Sequence, residues 1–109
     1  MPVYNKLVRD HIPAAIAANG KSFRTRRLSE AEYAQALKTK LREEADEYAR
    51  ARDDSEALEE LADMLEVIRA LSALHGAGWD RLESIRLRKA EARGGFEERL
   101  FLLDVDDPE

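Results

Sequence analysis

Two short acidic clusters carry the residue types most suited to chemistry. Glu43-Glu44-Ala45-Asp46-Glu47 gathers three glutamates within five residues, and Glu60-Leu61-Ala62-Asp63 sets a second acid three positions after the first. On a helix, residues three and four apart are surface neighbours, so each cluster aims carboxylates in a common direction. Lys40, four residues ahead of Glu44, falls beside them. Carboxylates grouped in this way are hard oxygen donors for Mg²⁺ or Mn²⁺. No Glu is followed three residues later by His, which leaves out the Glu-x-x-His pattern of di-iron bundles.

Two long helices have to bring the clusters together. Ser29-Glu30-Ala31-Glu32 has capping-box spacing, in which the Ser oxygen and the Glu carboxylate satisfy orphan backbone donors reciprocally. From there the sequence predicts a helix to about Arg52, because no Gly or Pro interrupts a run of good helix formers. Asp53-Asp54-Ser55 breaks it. Asp54 or Ser55 then caps a second helix from about Glu56 to His75, ended by Gly76-Ala77-Gly78. So short a link makes the pair an antiparallel hairpin.

Helical phase sorts the acids. With Tyr33 at zero, Leu37, Tyr48 and Leu41 follow within about 80°, and Glu44 falls at about 20°, inside the apolar stripe. Lys40 and Glu47 lie on its edge, at about −20° and −40°, and Glu43 lies further out at about −80°. On the second helix the apolar residues fill an arc of about 240°, wide enough to imply burial on more than one side. Glu60 falls between Leu71 and Val67, and Asp63 between Leu74 and Ala70. Glu59, Glu66 and Arg69 occupy the remaining polar face.

Carboxylates on a core face cost several kcal/mol each unless paired, and four of them also repel one another. Lys40 supplies one positive charge, whereas one or two divalent cations balance the set. The plainer alternative is a set of rim charges engaged in helix-to-helix salt bridges.

The remaining segments are shorter. Leu7 to Asn19 reads as a short helix with Asp10 as N-cap, Pro13 in the first turn and Gly20 past the end. Lys21 to Leu28 carries Arg24, Arg26 and Arg27, and is either a solvated basic linker or an extended cationic segment. Trp79 and Asp80 open a third stretch in which Asp80 and Glu83 repeat the capping-box spacing, and Arg93-Gly94-Gly95 closes it. Phe96 to Val105 predicts a short strand or a tail packed on the bundle, and Asp104 to Glu109 a frayed end. Trp79 is either a packing plug or a stacking platform; His11 and His75 read as structural, and Tyr33 and Tyr48 as core.

The 109 residues are read as one domain, 1–109, with a thin core: 17 of the apolar 44% are Ala. With 38% charged residues, a long-helix, all-α composition with extra burial in an oligomer suits the numbers. The absence of Cys removes thiolate nucleophiles and zinc-thiolate sites. No apolar run approaches the roughly 18 residues of a membrane span, and no hydrophobic signal core opens the chain, which reads as cytoplasmic with no membrane partner. A net charge of −5 opposes nucleic-acid binding while permitting a local cationic pocket for a phosphorylated small molecule.

Taken in order, Glu43-Glu44-Ala45-Asp46-Glu47 and Glu60-Leu61-Ala62-Asp63 resemble the E-E-x-x-E … E-x-x-D signature of the MazG-like all-α nucleoside triphosphate pyrophosphohydrolase superfamily. Tyr4-Asn5-Lys6-Leu7-Val8-Arg9-Asp10 and Lys89 through Phe96 resemble the ends of its small phosphoribosyl-ATP pyrophosphohydrolase-like branch. The resemblance implies hydrolysis of a nucleoside triphosphate between the α- and β-phosphates, to a monophosphate and pyrophosphate, in nucleotide-pool sanitation. It further implies that Glu44, Glu47, Glu60 and Asp63 hold Mg²⁺ and that Glu43 serves a second ion or orients the attacking water. The cations suited to phosphate oxygens are Lys40, Lys6, Arg9, Lys89 and Arg93. The competing expectation is a catalytically inactive helical interaction module of the same fold.

One hairpin cannot cover so wide an apolar arc. The sequence therefore predicts a homodimer in which two hairpins complete a four-helix bundle, or a dimer of such dimers.

Overall fold

A computed structural model describes residues 2–106 as four helices: α1 (Ile12–Ala18), α2 (Glu30–Ala49), α3 (Asp54–Leu74) and α4 (Trp79–Arg93). The described residues contain no strand, which agrees with the all-α expectation. Among the described residues, no helix is long and apolar enough to cross a membrane.

The capping box at the start of α2 forms as read. Ser29 Oγ accepts from the Glu32 N–H at 3.2 Å, and Glu32 Oε1 accepts from the Ser29 N–H at 3.0 Å. Arg26 donates to the same carboxylate at 2.8 Å and, with Ser29, holds its pKa down at about 2. This gives one arginine of the 21–28 segment a structural task; the segment itself forms neither helix nor strand and is exposed apart from Leu28.

Other boundaries differ from expectation. α2 stops at Ala49, short of Arg52, so the link is Arg50 to Asp53. Asp53, not Asp54 or Ser55, caps α3: its carboxylate accepts from the Glu56 N–H at 2.8 Å, and Glu56 accepts in turn from the Arg52 N–H at 2.9 Å. That register leaves Asp54 and Glu56 in the first turn, where the positive end of the helix dipole favours them. Asp10 does not cap α1, whose N-cap is His11 without a side-chain bond. Nor does Asp80 cap α4, which starts from Gly78, and Glu83 pairs with Arg86 instead. α3 ends in a Schellman turn, with Gly76 at φ +78° and the Ala77 N–H donating to the Ser72 carbonyl at 3.0 Å. Ser72 Oγ donates to the Ala77 carbonyl at 2.8 Å and pins the turn from within.

α2 and α3 pair as the antiparallel hairpin, and α4 packs against α3 alone. The core is thin, as the composition implied: Leu37 and Val67 are its buried apolar residues, accompanied by Glu44 and Ser72. Tyr33 is half-buried, whereas Tyr48, expected in the core, is exposed near the end of α2.

The expected C-terminal strand or packed tail is absent. Phe96, Leu100, Phe101, Leu102 and Leu103 are all at least 77% exposed. A lone extended segment has no ladder to join among helices, and its backbone groups are better satisfied by water. Of the expected frayed end, residues 107–109 lie outside the described residues.

The chain is long rather than compact. Its radius of gyration is 19.0 Å and its extents are 67 × 35 × 28 Å, against about 13 Å for the radius of a compact chain of this length.

Candidate functional site

The acidic site forms where α2 and α3 lie side by side near the link. Glu44 and Glu47 project from α2 and Glu60 from α3, each offering an oxygen within 4.8 Å of the others. A short link and two helical periods suffice to produce this meeting, because neither helix has a breaker between its cluster and the link.

Glu44 is the unusual member. It is only 7% exposed, one of its oxygens lies 3.7 Å from Lys40 Nζ, and the other, Oε2, is buried without a hydrogen-bond partner. Burial raises its pKa, and the charges of Glu47 and Asp63 add to the effect. Glu60 is half-buried, and its Oε2 is likewise shielded and unpartnered. Its pKa is pushed up to about 7, chiefly because the neighbouring Glu47 carboxylate favours the protonated form, with loss of solvent and the nearness of Glu44 contributing. Glu47, on the edge of the stripe, is exposed.

The remaining sequence-derived residues divide. Asp63 does not join the trio; its Oδ1 accepts from Arg9 Nη2 at 2.6 Å. Lys40 stands beside Glu44 as its phase requires. Arg9 therefore reaches the acidic region, while Lys6 of the same segment lies over the Tyr4 ring, 5.4 Å from its centroid. Glu43 is exposed and outside the trio. Lys89 and Arg93 are exposed on α4, which makes no packing contact with α2, so this chain does not bring them to its own Glu44 and Glu47. Gly94, at φ +84°, with its N–H on the Ala90 carbonyl at 2.7 Å, is a helix end.

The Arg9–Asp63 contact joins residues 54 positions apart, and no periodicity or cap signals it. Only the need of four acids for countercharge points that way. Trp79 is 40% exposed and lines an open hollow with Leu65, Glu66 and Arg69, on the flank of α3 opposite its packing with α2. His11 and His75 sit at helix ends, His75 as the C-cap of α3.

In chemical terms, the trio is a set of oxygen donors with two buried lone-pair sites left over. Such a set is relieved either by protonation, as at Glu60, or by a divalent cation. No family model, curated protein or solved structure matches this chain.

Proposed function

We propose that the chain is a Mg²⁺-dependent nucleotide pyrophosphohydrolase, with Mn²⁺ as an alternative ion. The observation that carries this reading is Glu44, buried with its Oε2 unpartnered, in a trio with Glu47 and Glu60 whose carboxylates each offer an oxygen within 4.8 Å of the others. A carboxylate oxygen desolvated without a partner costs several kcal/mol, and a chain that retains it beside two further acids is suited to receive a cation there. The acidic motifs' resemblance to the MazG-like signature gives the cation its task.

In this reading Glu44, Glu47, Glu60 and Asp63 hold the ion. When bound, it screens phosphate charge and favours departure of pyrophosphate. Glu43, exposed next to Glu44, orients the water. That water adds to the α-phosphorus and loses a proton to solvent, the bond from the α-phosphorus to the α–β bridging oxygen breaks, and a nucleoside monophosphate and pyrophosphate leave. Lys40 keeps Glu44 in place and faces the phosphates. Lys6 and Arg9 approach from the N-terminal segment. Lys89 and Arg93, remote from α2 of their own chain, serve the site of a second copy in a homodimer.

The test is a pyrophosphate-release screen of canonical, deoxy and damaged nucleoside triphosphates with Mg²⁺ or Mn²⁺. Release that stops on adding a chelator supports the reading. No release from any nucleotide would favour the inactive interaction module instead.

A further inference from the structure

Arg9 occupies an unusual place in this site. It belongs to a segment without helix or strand, yet its guanidinium reaches across to α3 and takes the one acid of the two motifs' inner four that is missing from the trio. Leu7 and Val8, just ahead of it, are half-buried. The pair is short, at 2.6 Å, but both side chains remain well exposed, at 55% and 40%. An exposed pair of this kind is weakly held and readily exchanged. A divalent cation, doubly charged and satisfied by several oxygens at once, competes strongly for the same carboxylate.

We infer that Arg9 is a built-in countercation, holding Asp63 until a divalent ion takes that carboxylate and frees the guanidinium for a substrate phosphate. The inference rests on the metal-site reading above and adds an exchange step to it. An arginine suits the second position as well as the first, since its planar fork matches carboxylate and phosphate alike. Arg9 is thus a positioning residue for Asp63 before the ion binds and a substrate-binding residue afterwards.

The test is a Mn²⁺ titration of the full chain without nucleotide, followed by electron paramagnetic resonance, so that the readout is binding rather than turnover. Arg9→Ala should tighten Mn²⁺ binding by about three- to tenfold, the range of coupling expected for one contacting pair. Asp63→Asn should weaken it, and in that background Arg9→Ala should have no further effect. Lys6→Ala removes the same charge from the same segment without touching an acid, and should change the affinity less than twofold. Equal or weaker binding by Arg9→Ala overturns the exchange, as does the same tightening in Lys6→Ala or in the Asp63→Asn background. If neither the wild-type chain nor Arg9→Ala binds Mn²⁺, the metal site itself is refuted and the exchange with it. Binding by the wild type with no response to Arg9→Ala refutes the exchange alone.

Discussion

Glu44 sits where an aliphatic side chain would ordinarily pack, one turn from Lys40 and buried as deeply as Val67. Replacing its carboxylate with an amide keeps the shape and removes the charge. Glu44→Gln should lower turnover by more than about 100-fold, beyond the loss typical of residues that merely support a metal ligand. Metal-free, the variant should melt no lower than the wild type, because one repelling charge is gone. Wild-type turnover in this variant would remove Glu44 from the site. Glu60 supplies a pH dependence. Its pKa is raised from 4.5 to about 7 in the folded chain, so between those values the native state binds more protons than the unfolded one. Stability of the metal-free chain should therefore fall as pH rises from about 4.5 through 7, and level off above. Urea unfolding at pH 5 and pH 8 measures the difference, and Glu60→Gln should flatten it. Stability rising over that interval would contradict the assigned environment. The inner position of Glu44 was legible because helical phase is a local property. The Arg9–Asp63 pair was not, because nothing in an extended segment fixes where its side chains land.

Among the elements, the two long helices were legible from good helix formers between capping signals, and their ends less so. The sequence offered Asp54 or Ser55 as the cap and passed over Asp53, because adjacent residues of capping type do not reveal in which register the helix starts. The choice falls on Asp53 because Glu56, three residues on, both donates its N–H to Asp53 and accepts from Arg52. Asp53→Ala should cost about 1 kcal/mol of stability, the usual value of a lost N-cap, whereas Asp54→Ala should cost much less. Chemical denaturation of the two variants checks this, and equal losses would count against the assigned cap. The C-terminal run Leu100-Phe101-Leu102-Leu103 misled for a related reason: apolar strand-like composition makes a strand only where a neighbouring strand offers hydrogen bonds. Tyr48 misled because helical phase gives the side of α2 it lies on and not how much of that side is covered near the link.

At the scale of the whole molecule, the exposed surface is 10214 Å², whereas a folded monomer of 12.4 kDa exposes about 6,100 Å². The excess of roughly 4,000 Å² exceeds one partner's share of most stable dimer interfaces. It includes Leu58 and Leu65 of α3, 67% and 50% exposed, and the apolar tail. The wide arc of α3 was legible in sequence, and the structure leaves its outer side uncovered within one chain. We expect a homodimer or a dimer of dimers, with light scattering giving at least twice the 12.4 kDa chain mass at micromolar concentration. A folded, active monomer there would refute it. Phosphorus-31 nuclear magnetic resonance of a nucleoside triphosphate turned over with Mg²⁺ shows which bond the acidic site breaks. Monophosphate and pyrophosphate should appear together from the start, and turnover should stop once a chelator is present. Orthophosphate with a diphosphate intermediate, or turnover undiminished by the chelator, would contradict the proposed reaction.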